Sequence, residues 1–321
     1  MQVKEKAIEL LSSGKVSRVL GWKQGEFCYD LTPAVFESAE EVERSFVFSP
    51  LAGANLAKYL IAESRKEGVV AAFLKPCDSY SVLQLCKEHR IRRENVYLVG
   101  VPCEGTVDPD LLRENAKGLT AVREAGGTLV CDTLYGEKRV DLSAVLLERC
   151  KVCKSKKIVV FDELLGENGE ENPQSTRFAA VEEIENLTPE ERYAFWQKEL
   201  SRCIRCNACR NVCPACSCET CVFDNAKLGT ENKAPASSFE EQYFHIIRAF
   251  HVAGRCTDCG ECSRVCPQKI PLHLLNRKFI RDMNTLYGQY QAGADEESLP
   301  PMLDFRMDDC EPSAARGGKQ A

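Results

Sequence analysis

Two stretches of this chain space their cysteines so that they can hold iron. In CIRCNACRNVCP, Cys203-x2-Cys206-x2-Cys209-x3-Cys213 is followed by Pro214; in CTDCGECSRVCP, Cys256-x2-Cys259-x2-Cys262-x3-Cys266 is followed by Pro267. A cubane of four irons and four sulfides offers three corners to a tight loop of x2-x2 spacing, and its fourth corner needs a thiolate from elsewhere. Two such runs solve this reciprocally, the fourth cysteine of each serving the other's cluster. One 4Fe-4S cluster is therefore expected on Cys203, Cys206, Cys209 and Cys266, and a second on Cys256, Cys259, Cys262 and Cys213. Zinc, which usually pairs two C-x2-C hooks in a tetrahedron, is the competing occupant. The ferredoxin spacing with its trailing proline, present twice, argues for clusters. Cys216, Cys218 and Cys221 follow the first run directly and stay open between spare ligands, a small zinc site and thiols buried against the cluster.

Composition agrees with that chemistry. Cysteine occurs 19 times in 321 residues, and eleven of the 19 fall between positions 203 and 266. The opening MQVKEKAIELL has neither the apolar stretch nor the cleavage site of an export signal. The expected address is cytoplasmic, where thiols stay reduced and serve as metal ligands instead of disulfides. A net charge of -6 lacks the basic field that nucleic-acid binding needs. The longest apolar runs, 69–74 (VVAAFL) and 96–101 (VYLVGV), fall far short of the ~20 residues that span a bilayer. The length suits two domains.

Those domains must position the ligands. Residues 1–164 read as an α/β domain with parallel strands. The runs 69–74 and 96–101 have strand length, and Asp78 can cap a helix between them carrying Val82, Leu83, Leu85 and Cys86 at helical spacing. Strand, helix, strand is a βαβ unit. Further strands are expected at 27–31, 128–132 and 157–161, and helices at 55–66, capped by Asn55, and near 108–116. Residues 165–182 read as a linker, since 165–175 (LGENGEENPQS) is too polar to bury and its acidic run suits a solvated segment. Residues 183–291 read as a mainly α-helical two-cluster ferredoxin domain. Thr188, Pro189 and Glu191 start one helix, 239–253 forms another with Tyr243, Ile246, Ile247 and Phe250 on its apolar face, and IPLHLLNRKFIRDM follows the second run. Residues 292–321 read as a flexible tail. His89, His245, His251 and His273 sit singly on helices, in packing or surface roles.

A third site is suggested in the first domain. Pro76-Cys77-Asp78 ends one strand and Pro102-Cys103-Glu104 ends the next. Neighbouring strands lie ~4.8 Å apart, so both cysteines would emerge at the carboxyl edge, where open α/β sheets bind ligands. At a helix N-terminus Cys77 should favour the thiolate. Cys150-x2-Cys153 offers a second hook. Cys77, Cys103, Cys150 and Cys153 are read as a third centre, a further 4Fe-4S cluster or a zinc, against the alternative that Cys77 and Cys103 are small buried residues. Cys28, Cys86 and Cys131 read as core. The sequence has no G-x-G-x-x-G after a strand and no Walker A lysine.

The segments LKPCDSYSVLQL, ENVYLVGVPCEGTVD and RCKVCKSK resemble the β-subunit family of coenzyme F420-reducing hydrogenases and formate dehydrogenases, over roughly residues 45–165. The long insert 215–255 makes the second half resemble the helical two-cluster ferredoxin modules of heterodisulfide reductase C-type and succinate dehydrogenase iron–sulfur subunits. The first resemblance implies an iron–sulfur flavoprotein of anaerobic metabolism, with FAD held by residues the sequence does not identify. Two functions follow. One is an electron-transfer subunit that relays single electrons through two 4Fe-4S clusters. The other is a β subunit whose FAD exchanges a hydride with a deazaflavin or NAD(P)H and splits it for the clusters. Either implies a hetero-oligomer with catalytic oxidoreductase subunits (hydrogenase, formate dehydrogenase or heterodisulfide-reductase-like) and a flavin or ferredoxin electron partner. A metal-stabilised scaffold is the third reading, disfavoured because structural sites usually use one closed zinc.

Overall fold

A computed structural model describes residues 2–228, 239–304, 306, 307 and 309. The chain divides into two compact units, Met1–Arg177 and Phe178–Ala321. No helix among the described residues is long and apolar enough to cross a membrane.

The first unit contains strands β1 (Arg18–Gln24), β2 (Leu31–Phe36), β3 (Val70–Leu74), β4 (Val96–Gly100), β5 (Leu119–Ala125), β6 (Thr128–Thr133), β7 (Gly136–Asp141) and β8 (Glu163–Leu164). Its helices are α1 (Gln2–Ser12), α2 (Ala39–Ser45), α3 (Ala57–Glu63), α4 (Pro76–Lys87), α5 (Pro109–Asn115) and α6 (Glu148–Lys151). Five strands form one sheet in the order β2-β1-β3-β4-β8, and β5-β6-β7 form a separate antiparallel sheet. Within the larger sheet only β1 and β2 pair antiparallel; β1, β3, β4 and β8 run parallel. All five residues of β3 are buried, as expected of a parallel strand covered on both faces, which reads as a continuous apolar run. The βαβ unit is present as read from the sequence, with α4 crossing between β3 and β4.

Several expected elements differ. Residues 27–30 form the turn between β1 and β2, where Phe27 and Tyr29 stack at 5.3 Å, and the strand begins only at Leu31. Residues 157–161 join no ladder, because side chains take their backbone groups. Asn168 binds both the N–H (2.8 Å) and the C=O (3.0 Å) of Ile158, and Ser79 Oγ accepts the Val159 N–H at 3.1 Å. The strand forms instead at β8. Residues 165–175 are largely exposed yet pinned, with Leu165 N bonded to Gly100 O, Lys156 N to Glu170 O and Asn172 N to Lys154 O. Asp78 is not the cap of α4. It lies in the first turn and accepts the N–H of the capping residue Lys75 at 3.1 Å.

Among its described residues the second unit has no strand, and its α-helices are α7 (Ala179–Glu185), α8 (Pro189–Ser201), α9 (Ala208–Val212), α10 (Phe239–Val252), α11 (Glu261–Arg264) and α12 (Leu272–Tyr287). Thr188 and Glu191 close the expected capping box on α8. On α10 the apolar face read from the sequence is not the buried one, and its Ile246 and Ile247 are half-buried. Tyr243 and Phe250 are exposed, whereas Glu241, Gln242, Phe244, His245, Arg248, Ala249 and Val252 are buried. Of the expected tail, Ala292 and Pro300 are buried and anchor its start, and residues 310–321 lie outside the described residues.

Lys75 and Asp78 hold the start of α4 through a 3.0 Å salt bridge whose side chains are 3% and 0% exposed. Lys75 Nζ also donates to Ala54 O at 2.9 Å and lies 4.4 Å from the Trp22 ring centre. Removing one partner of such a pair strands a buried charge, at about 3–5 kcal/mol. Asp78→Asn is expected to lower the stability of the α/β unit by that amount, read as the urea transition of Trp22 fluorescence in a Trp196→Phe background.

Candidate metal centres

Each cysteine run is held by the same backbone device. α8 ends at Ser201 and the Cys203 N–H bonds to Leu200 O at 3.0 Å; α10 ends at Val252 and the Cys256 N–H bonds to Val252 O at 2.8 Å. Around the second cysteine of each run, two residues take left-handed backbone: Arg205 (φ 55°) and Asn207 (φ 60°), then Asp258 (φ 60°) and Gly260 (φ 67°). Asn207 and Gly260 open α9 and α11, which carry Cys209 and Cys262. The turns after them also match, Cys213 N to Arg210 O at 3.3 Å and Cys266 N to Ser263 O at 3.2 Å. Left-handed non-glycine residues are uncommon, and three of them at matching positions mark a backbone shaped for a ligand. In the first run the Arg205 N–H already donates to Cys203 Sγ at 3.3 Å.

The two runs pack crosswise. Cys203 and Cys209 of the first share one apolar cluster with Cys262 and Cys266 of the second, together with Leu200, Ile270 and Leu272, and the partly buried Trp196 packs against it. Cys213 of the first packs with Ala215, Val252, Cys216 and Cys256. Cys213 is also an electrostatic neighbour of Cys256, Cys259 and Cys262, and Cys266 of Cys203 and Cys209. Cys262 thus borders both groups, and Cys206 stands exposed at the rim. Among the described residues no three Cys, His, Asp or Glu side chains gather as a site for a single ion. A cubane sets iron and sulfide between its thiolates and needs no common point.

Burial dominates the electrostatics. Desolvation pushes Cys209 and Cys256 up to about 12, and raises Cys203, Cys259 and Cys262 as well. Cys213 moves the other way, because the Cys216 thiol donates a hydrogen bond to it. The buried face of α10 supplies Arg248, only 4% exposed, whose Nε and Nη1 have no hydrogen-bond partner. His245 is 2% exposed with both ring nitrogens unpartnered. Buried thiols facing unclaimed guanidinium N–H groups fit an anionic sulfur-rich occupant. Two buried ion pairs brace the loops: Arg205 with Glu241 at 3.1 Å and Asp258 with Arg277 at 2.7 Å. Sequence reasoning missed Arg248 and both pairs, and named His245 only in a packing or surface role. The one available signal was the charge inversion between C-x-R-C and C-x-D-C.

In the first unit, Leu74 and Gly100 pair at the carboxyl ends of β3 and β4, so Cys77 and Cys103 follow adjacent strands as expected. They are electrostatic neighbours, and Cys150 borders Cys103. The Thr106 N–H donates to Cys150 Sγ at 3.4 Å, whereas Cys153 Sγ turns to Ser155 O at 3.1 Å. The expected thiolate at Cys77 is not found. Desolvation, then the Asp78 carboxylate, hold its thiol well above the ordinary value, outweighing Lys75 and Arg149. Cys131 is buried as read, and Cys28 and Cys86 are partly buried.

Comparison with known proteins bears on both units. Residues 199–270 match a family described as 4Fe-4S dicluster domain. The chain is 27% identical, over 356 aligned positions, to F420-dependent formate dehydrogenase subunit beta of Methanocaldococcus jannaschii, covering 92% of each chain. It is 26% identical to F420-dependent formate dehydrogenase 1 subunit beta of Methanococcus maripaludis, covering 92% of this chain and 90% of that one. A chain of the xenon-derivatised F420-reducing NiFe hydrogenase complex from Methanosarcina barkeri aligns at 13% identity and a TM-score of 0.41. The match covers 63% of this chain and 86% of that one. The resemblance to β subunits, read from residues 45–165, therefore extends along nearly the whole chain.

Burial and the nearby Arg248 and Arg205 charges hold His245 down at about 3, below the ~6.5 of an unfolded chain. As pH falls below about 6.5 the unfolded state takes up this proton first, so stability present above that pH is lost toward about 3. Between pH 6.5 and 5, above most carboxylate titrations, the thermal midpoint of the chain prepared without metal is expected to fall. The fall is expected to be shallower in His245→Gln.

Proposed function

We propose that this chain is the iron–sulfur, electron-transferring subunit of a multi-subunit oxidoreductase, carrying one 4Fe-4S cluster on Cys203, Cys206, Cys209 and Cys266 and a second on Cys256, Cys259, Cys262 and Cys213. The observation that carries this reading is the crosswise packing, with Cys266 beside Cys203 and Cys209 and Cys213 beside Cys256. When bound, each cluster takes up and returns one electron. The chain's own residues supply the thiolates, exclude water through Leu200, Ile270, Leu272 and Val252, and brace the loops through the Arg205–Glu241 and Asp258–Arg277 pairs. Low dielectric and hydrogen bonds to sulfur are the protein's means of setting the potential. No bond chemistry is assigned to this unit.

A specific observation favours a second, compatible reading. The two relatives compared above are named as F420-dependent formate dehydrogenase beta subunits. A deazaflavin exchanges two electrons as hydride while 4Fe-4S clusters move one at a time, so a chain joining the two needs a flavin to split the pair. In this reading the α/β unit holds FAD near the carboxyl edge of β1, β3 and β4, where open parallel sheets bind ligands. The catalytic partner is then a formate dehydrogenase or hydrogenase subunit. Cys77, Cys103 and Cys150, with Cys153 as the outlying fourth, are proposed as ligands of a third centre at that edge.

The crosswise assignment makes an unusual demand on single variants. Cys266→Ser, in the second run, is expected to perturb the paramagnetic signal of the cluster whose other ligands lie in the first, and Cys213→Ser the reverse. Each variant disturbing only the cluster of its own run would refute the assignment. On anaerobically purified protein, metal analysis is expected to give about eight irons per chain for two clusters, about twelve with a third cubane, or about eight and one zinc. Flavin released by acid and read by fluorescence separates the hydride-splitting reading from the plain relay.

A further inference from the structure

We propose that Arg248 sets the reduction potentials of both clusters at once, acting as a single buried cation shared between them. The inference rests on the two-cluster reading above and adds to it a residue outside either cysteine run.

Its placement carries the proposal. Arg248 lies on the buried face of α10, 4% exposed, and its Nε and Nη1 find no hydrogen-bond partner. Three neighbouring arginines, by contrast, pair with carboxylates: Arg205 with Glu241, Arg277 with Asp258 and Arg264 with Glu261. Among the described residues no carboxylate pairs with Arg248. What borders it is sulfur from both groups: Cys209 of the first proposed cluster, Cys213 and Cys262 of the second, and the adjoining Cys216. Its side chain reaches the thiols of Cys216 and Cys262 closely enough to donate to them.

A guanidinium placed only to hold the fold would pair with a carboxylate or backbone carbonyls, because a buried unpaired charge is expensive. Here the compensating charge must come from thiolates and cluster. One electron entering either cluster makes it more negative by one charge, with no proton or bond change at the protein. A fixed positive charge and N–H donors beside sulfur favour the reduced form and raise the potential. Arginine holds its charge at any working pH. Because the same cation borders both sulfur groups, both couples respond to it. The neutral His245 one turn away adds no competing charge.

The test uses the full chain, loaded anaerobically. Redox titration followed by EPR is expected to show both midpoint potentials of Arg248→Gln displaced negative by at least a tenfold change in reduction equilibrium, which is 59 mV for a one-electron couple. Arg248→Lys, which keeps the charge, is expected to lie between Gln and wild type. If both clusters of Arg248→Gln load and either potential is unmoved, the shared-cation role is overturned. A second measurement needs no variant to fold. In wild-type protein carrying guanidino-15N arginine, electron spin-echo modulation of the reduced clusters is expected to show 15N coupling, and its absence overturns the proposal. Wild-type protein with no reduced-cluster signal at all would instead overturn the two-cluster reading, and this inference with it.

Discussion

The helical unit is organised around the cost of keeping sulfur charge away from water. Five of the eight cysteines in the two runs are buried, and desolvation pushes the thiols of Cys209 and Cys256 up to about 12. A thiolate in that setting is stable only against a metal or a nearby cation. This explains why α10 turns its polar face inward. Arg248 and His245 occupy positions that leucine or isoleucine would fill in an ordinary amphipathic helix, and Tyr243 and Phe250, 47% and 54% exposed, lie outside.

The two runs share a backbone and differ in charge. Arg205 and Asp258 occupy the same left-handed position, yet one draws a carboxylate from α10 and the other a guanidinium from α12. Buried pairs of this kind add little net stability compared with apolar packing, and their best-attested use is in fixing one arrangement against alternatives. Opposite signs mean that neither loop can dock where the other belongs without burying like charges together. A duplicated motif is thereby kept in one register, as the proposed reciprocal use of the fourth cysteines would demand. The second run is also the more acidic: Glu261 lies 0% exposed beside Cys259 and helps raise its thiol after desolvation.

Much of this was legible in the residues. The βαβ unit follows from two strand-length apolar runs, the start of α8 from Thr188, Pro189 and Glu191, and the cluster motifs from spacing alone. The failures share one physical origin. At 157–161 the pattern says strand, but Asn168 and Ser79, neither adjacent in sequence, satisfy the backbone first. On α10 the apolar stripe says core, but the interior that the helix meets is sulfur, which selects arginine. At Cys77 the helix N-terminus says thiolate, but burial and Asp78 say thiol. Periodicity and local capping describe what a segment does against an average protein interior. They miss the cases where the interior is polar by design or where a distant side chain claims the backbone.

The same burial constrains how the clusters enter. Near neutral pH a thiol held at about 12 is protonated, so iron must displace that proton to bind, and the displacement is hardest once the apolar walls are in place. Leu200, Ile270 and Leu272, which wall Cys209 and Cys266, come from the end of α8 and from the segment entering α12. Both flank the runs in sequence. Ligation is therefore easiest while these flanking segments are still open to water, and their packing then seals what has been bound. On the proposed cluster assignment, metal loading and consolidation of the helical core would be one coupled event, with the left-handed turns at Arg205, Asn207, Asp258 and Gly260 presenting the thiols and the ion pairs of α10 and α12 closing over them.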